Sequence, residues 1–190
     1  ILLILPLFTF AQRKKDRDTS AVILQPNRIE FEYQKEASEF YVVPGDLDGL
    51  LVVEETMIAT RPKGNIWKIH LIDTAFQITW SKELVIPTDG ALLGYEYFEG
   101  DFYLLFNKSR FRSEDLLVYK FESGSPDFEI YEITTVFPVQ ISHFESVGET
   151  ILLAGYANYR PVVITYNLND RIPRVVPGFY DNRNNILDLV

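Results

Sequence analysis

The chain of 190 residues contains no cysteine, and its only histidines are His70 and His143. The absence of cysteine excludes disulfide bonds, thiol catalysis and a lipid-modified N-terminal cysteine. Neither histidine has a partner at the spacing of a zinc site, and the G-x-S-x-G elbow that would complete a triad with His70 and Asp73 is absent. We therefore expect structural roles for both histidines, no metal and no cofactor.

Positive charge is also scarce. Lys and Arg number 18 against 27 Asp and Glu, which gives a net charge of −9. Nucleic-acid binding depends on cations that neutralise phosphates, so this balance argues against a nucleic-acid partner. Apolar residues make up 47% of the chain and aromatic residues 14%, which favours a large core built from strands. No segment keeps a 3.6-residue apolar period over three turns, so little helix is expected.

The first twenty residues differ from the rest. Residues 1–12, ILLILPLFTFAQ, are predicted to be the remnant of a signal peptide, because an apolar run ends in small residues at Thr9 and Ala11. The run is too short to span a bilayer, which takes about twenty apolar residues, so no membrane span is expected in this segment. Residues 13–20 are predicted to form a polar spacer. The alternative is a buried N-terminal strand, against which Pro6 counts.

Over residues 21–190 the sequence repeats. Tight acidic turns at Asp48-Gly49, Gly100-Asp101 and Gly148-Glu149 place successive glycines 51 and 48 residues apart. Around each turn the order is the same: an extended run, the turn, an apolar run, a polar connector and two further extended runs. Such a period indicates a repeat architecture with four strands per unit. The predicted units are residues 39–89, 90–139, 140–179 and an incomplete 180–190.

The aligned segments, such as Phe76-Gln77-Ile78 with Phe128-Glu129-Ile130, resemble the secreted bacterial β-propeller-like repeat proteins over about residues 39–190. The Gly-His and Trp-Asp signatures of the WD40 class and the paired glycines of Kelch repeats are missing, so the resemblance implies architecture and no chemistry. The predicted fold is all-β: antiparallel four-stranded meanders, about three propeller-like blades and the start of a fourth. Since a closed ring takes about 4–8 blades, we expect a partial propeller. A β-sandwich or an irregular meander is the alternative.

One charge pattern stands out. In each unit the connector between the second and third strands lies at one end of the sheet, and the other turns lie at the opposite end. Connectors 59–65, 107–115 and 157–161 hold six cations and only two acids, Glu114 and Asp115. Sorting by chance among polar turns is the alternative explanation. The candidate ligand-binding residues are Arg61, Lys63, Lys108, Arg110, Arg112 and Arg160.

Acidic motifs give weaker hypotheses. Asp46-x-Asp48-Gly49 begins like a calcium loop, but it lacks a third acid and an apolar strand follows it. A glycosidase would need two converging carboxylates. Adjacent Glu54 and Glu55 point to opposite faces of a strand, so they cannot form such a pair. The other carboxylates available are Glu96, Glu132 and Glu145.

The sequence therefore predicts an exported protein that is periplasmic, secreted or at the cell surface. We expect a non-catalytic binding or protein-interaction module whose ligand is an unidentified protein or an anionic small molecule or glycan. A carbohydrate-active hydrolase with an acidic pair on the connector face is the first alternative. A sensor or anchored protein whose functional domain lies beyond Val190 is the second.

Overall fold

The computed structural model describes residues 28–31, 39–60, 64–109 and 112–177. Predictions for residues 1–12, 13–20 and 180–190 concern segments outside these ranges. The first sheet comprises β1 (Glu39–Pro44), β2 (Leu50–Thr60), β3 (Gly64–Ile72) and β4 (Ile78–Ile86). The second comprises β5 (Leu92–Phe98), β6 (Asp101–Ser109), β7 (Arg112–Glu122) and β8 (Phe128–Thr134). The third comprises β9 (Gln140–Val147), β10 (Thr150–Ala157), β11 (Arg160–Asn167) and β12 (Pro173–Val175).

Each sheet is an antiparallel meander in which strands pair in chain order. A 3-10 turn at Asp46–Asp48 joins β1 to β2. This confirms the predicted all-β class and the four-stranded meanders. No helix in the described part of the chain is long and apolar enough to cross a membrane.

The second sheet is packed between the other two. Along β6, Phe102, Leu104 and Phe106 contribute to a core shared with the first sheet. Tyr103 and Leu105 point the other way, into a core shared with the third sheet. Successive side chains of a strand alternate between faces, so a strand with two buried faces needs an unbroken apolar run, and FYLLF supplies it. Each such side chain contributes about 1.5–3 kcal/mol on burial.

The first strands of the three sheets lie side by side, because β5 contacts both β1 and β9. The approach of β5 to β9 is close at Gly94, where an added Cβ would lie 3.0 Å from the Cβ of Phe144. Sheets that stack face to face, with their first strands next to one another on the same side, are arranged like propeller blades. The three described sheets form an open arc, which confirms the expectation of a partial propeller.

A short extended segment lies on the face of the first sheet that points away from the second. Ile29 and Phe31 are half-buried, whereas Arg28 and Glu30 are exposed and form an ion pair at 2.8 Å. The Phe31 ring lies 5.2 Å from the ring of His70, between centroids. The alternation predicted from RIEFEYQ therefore holds over residues 28–31, although these residues form no ladder with a neighbouring strand.

Candidate functional site at the connector end

Strand direction divides the molecule into two ends. The connectors β2–β3, β6–β7 and β10–β11 lie at one end, which we name the connector end. The links between sheets, residues 87–91 and 135–139, lie at the same end because β4 and β8 run toward it. The remaining turns lie at the opposite end, which we name the turn end. Any ligand of the connector end would thus meet loops from all three sheets.

Two of the six candidate residues have described side chains. Lys108 lies near the end of β6, and its Nζ is 2.5 Å from Oε2 of Glu132. Since the Glu132 side chain is 67% exposed, this pair adds little stability, about 0–1 kcal/mol. Arg160 is the first residue of β11, is exposed and takes part in an intramolecular contact. The structure therefore places both side chains at the connector end.

The side chains of the other four candidates lie outside the described part of the chain. Arg112 begins β7 at the connector end, and its side chain lies outside the described part. Arg61, Lys63 and Arg110 fall in connectors outside the described ranges. Their role as ligand-binding residues remains a prediction.

Turn chemistry accounts for several acids of the turn end. Oδ1 of Asp73 accepts hydrogen bonds from the backbone N–H groups of Ala75 at 2.9 Å and Gln77 at 2.8 Å. Asp170 accepts one from the N–H of Ile172 at 3.0 Å. Its hydrogen bond from Arg174, at 2.7 Å, is the main cause that lowers the pKa of Asp170. Side chains that accept from nearby backbone are what such turns require, so these acids need no ligand to explain them.

The sequence interpretation missed Tyr159, which lies at the tip of the β10–β11 hairpin. Its side chain is 99% exposed, and the connector is only two residues long, Asn158 and Tyr159. Both residues have positive φ, 50° and 63°, which is the geometry of a type I′ turn. Val136, 90% exposed, lies in the link between the second and third sheets at the same end. The available signal was the sequence ANYR, which has a tyrosine where such a turn usually has glycine.

One carboxylate pair is brought together away from the connectors. Glu96 lies on β5 and Glu145 on β9, the first strands of neighbouring sheets. Burial raises the pKa of Glu96, and the nearby charge of Glu145 raises it further. A carboxyl group that keeps its proton closer to neutral pH can act as a general acid. Of the carboxylates considered from the sequence, these two are coupled electrostatically.

The remaining motifs have structural explanations. His70 Nδ1 lies 2.7 Å from Oγ of Ser81. Burial lowers the pKa of His70, and this effect is larger than the opposite effect of the nearby Glu54 charge. Asp48 in the calcium-like motif accepts a hydrogen bond from the Tyr97 hydroxyl at 2.5 Å. No group of three or more His, Cys, Asp or Glu side chains within the described ranges could hold a metal ion.

Comparison with known proteins does not identify a function for this chain. No family model and no curated protein matches the chain. A mutant of the Synechocystis apocarotenoid oxygenase shares 7% identity over 72% of this chain and 37% of its own, with a TM-score of 0.47. The Pseudomonas brassicacearum lignostilbene dioxygenase shares 10% identity over 72% of this chain and 40% of its own, with a TM-score of 0.38. The chain spans less than half of either structure, and likeness at this level carries no statement about activity.

The described sheets themselves define the class of protein. It is an all-β protein of propeller-like four-stranded meanders, stacked in an open arc. The propeller-like architecture is thus supported, whereas the assignment to the secreted bacterial repeat proteins remains a prediction.

Proposed function

We propose that this chain is an exported, non-catalytic binding module that engages an anionic ligand or an acidic partner through its connector end. The observation that carries the proposal is the convergence of the connectors and both inter-sheet links at that end. The three connectors hold six cations and two acids in a chain whose net charge is −9. Export rests on the signal-like residues 1–12.

The physical basis is local charge on a rigid support. Loops that protrude from packed sheets carry binding residues in many folds, because the scaffold fixes their positions while their side chains face solvent. Cations grouped at one end of an otherwise acidic protein attract anionic groups and set the orientation of approach. Arginine adds bidentate hydrogen bonds to carboxylates or phosphates, so Arg61, Arg110 and Arg160 are expected to contribute most.

The test is a triple substitution, Arg61→Ser, Arg110→Ser and Arg160→Ser, measured by fluorescence anisotropy with labelled poly-L-glutamate and labelled alginate. We expect binding to weaken about tenfold or more. A matched variant, Lys82→Ser, Arg171→Ser and Arg174→Ser, removes the same charge from outside the connector end and should bind like the unmodified protein. Equal losses in the two variants would show that overall charge, and no particular site, governs binding.

The coupling of Glu96 with Glu145 favours a second candidate function, glycoside hydrolysis. A carboxyl group with a raised pKa close to a second carboxyl group is the arrangement that glycosidases use as acid and nucleophile or base. The test is hydrolysis of a panel of p-nitrophenyl glycosides by the unmodified protein and by Glu96→Gln, Glu145→Gln and the exposed control Glu83→Gln. A turnover rate about 100-fold lower in Glu96→Gln and Glu145→Gln, but unchanged in Glu83→Gln, would support glycoside hydrolysis. No turnover of any glycoside would reject it.

A further inference from the structure

The turn of the hairpin between β10 and β11 contains a tyrosine, Tyr159, in a backbone conformation that disfavours bulky residues. In a two-residue type I′ turn both central residues have positive φ, and the second is usually glycine. Here Asn158 has a φ of 50° and Tyr159 a φ of 63°. Asparagine tolerates the left-handed region, but a bulky side chain there is strained by its own Cβ. Glycine at this position would remove the strain without altering the turn.

Nothing within the described part of the chain offsets this strain, because the Tyr159 side chain is 99% exposed. Phe76 gives a useful comparison in the same molecule. It also has a positive φ, 59°, but it lies at the turn end and is 51% exposed, so part of its ring packs against neighbours. A strained residue with no intramolecular contact indicates a side chain that is retained for a contact outside the chain.

We propose that Tyr159, together with Arg160, is the anchor by which the connector end inserts into an apolar pocket, rimmed by acidic groups, on a protein partner. This rests on the proposed function and adds the anchor and the partner class to it. Tyrosine and arginine are, with tryptophan, enriched among the hot spots of protein interfaces. Arg160, the next residue along the chain and the first of β11, is a cation that complements an acidic rim.

Exposed aliphatic side chains near the connectors favour a protein over a polysaccharide as the partner. The same end also exposes Val136 to 90% and Ile58 to 49%, and aliphatic contacts of this kind suit a protein surface.

The test combines stability with binding. Tyr159→Gly should raise the melting temperature by about 2–4 °C, because the strain of one left-handed residue is relieved in a domain of this size. Phe76→Gly relieves the same kind of strain at the turn end and serves as the matched control. The binding probe is a set of peptides selected on the unmodified protein from a displayed random 12-residue library. We expect acid-rich peptides that bind Phe76→Gly normally and Tyr159→Gly at least tenfold more weakly.

The outcomes separate this inference from the proposed function. Peptides that bind Tyr159→Gly normally but lose affinity to the Arg61, Arg110 and Arg160 triple variant would overturn the anchor and leave the connector end as the binding site. Peptides that bind both variants with the affinity of the unmodified protein would overturn both proposals. Retardation of the protein by alginate in native gels, lost in Tyr159→Gly, with no Tyr159-dependent peptide recovered, would replace the protein partner by a glycan.

Discussion

The hydroxyl of Tyr97 on β5 donates a hydrogen bond to Oδ2 of Asp48, 2.5 Å away, and so joins the second sheet to the β1–β2 turn of the first. A hydrogen bond to a charged acceptor is stronger than a neutral one, about 1.5–3 kcal/mol net. The same region is packed tightly, because an added Cβ at Gly45 would lie 2.3 Å from the Phe102 ring. Polar and apolar contacts therefore fix the first sheet against the second at the turn end.

Replacing Tyr97 with phenylalanine should lower the free energy of unfolding by about 1–3 kcal/mol, because Asp48 loses a partner while the ring is kept. Urea denaturation followed by circular dichroism measures the change. Tyr95→Phe on the same strand is the control, since Tyr95 is 43% exposed, and we expect a change within about 0.5 kcal/mol. Equal effects of the two substitutions would contradict a specific role for the Tyr97–Asp48 bond.

Stability is expected to fall at alkaline pH. The hydrogen bond to Asp48, ahead of burial, raises the pKa of Tyr97 from 10.0 to about 12. A folded-state pKa above the unfolded value means that the protonated phenol is favoured by folding. Its contribution is complete below pH 10 and is lost as the pH rises toward 12. The pKa of Tyr41 is also raised to about 12, mainly by burial and next by its hydrogen bond to Glu39.

Denaturation midpoints measured from pH 9 to pH 12 should therefore decline. Tyr97→Phe should flatten the decline because it removes one of the phenols that must ionise. A midpoint that is constant to pH 12, or a Tyr97→Phe curve parallel to that of the unmodified protein, would exclude this linkage.

Leu104 tests the packing of the shared core. It is fully buried between the first and second sheets, so Leu104→Ala should cost about 2–5 kcal/mol through lost burial and a residual cavity. Leu47→Ala is the matched control, because Leu47 is 92% exposed and its truncation should change stability by less than about 0.5 kcal/mol. Thermal denaturation by calorimetry distinguishes the two. A small effect at Leu104 would mean that this core is loosely packed.

Gly49 tests a backbone requirement. It has a φ of 95°, and an added Cβ would lie 2.0 Å from the carbonyl oxygen of Ile72. Gly49→Ala should therefore destabilise by at least about 2–3 kcal/mol, since strain and a backbone clash act together. Gly124→Ala is the control, because its Cβ would meet nothing within 4 Å. Soluble yield and urea midpoints of the two variants give the comparison, and similar midpoints would contradict the structural requirement at Gly49.

The sequence predicted what depends on local pattern. The glycine at position 49 marked a turn, and the apolar run from Phe102 to Phe106 marked a strand. Contacts that depend on how sheets meet were not predictable: the proximity of Tyr97 to Asp48 and of Glu96 to Glu145 is set by the register between sheets. A bulge at Ala154 and Gly155 shifts the pairing of β9 with β10, and no alternation rule gives its position.

The candidate site was predicted only in outline. The topology that places Lys108 and Arg160 at one end follows from counting strands and turns. The strain and exposure of Tyr159 do not, because they depend on the backbone angles of a two-residue turn, and a sequence shows only the residue types.

The alternation along β6 has a thermodynamic consequence. Phe102 and Tyr103 are consecutive residues, yet one belongs to the core of the first sheet and the other to that of the third. Any fluctuation that releases this strand therefore opens two cores together, and neither outer sheet can keep its packed face without it. In a stack with nearest-neighbour coupling, such a central unit makes the ends interdependent. The arc is expected to melt in a single transition, with hydrogen exchange slowest at the amides of β6.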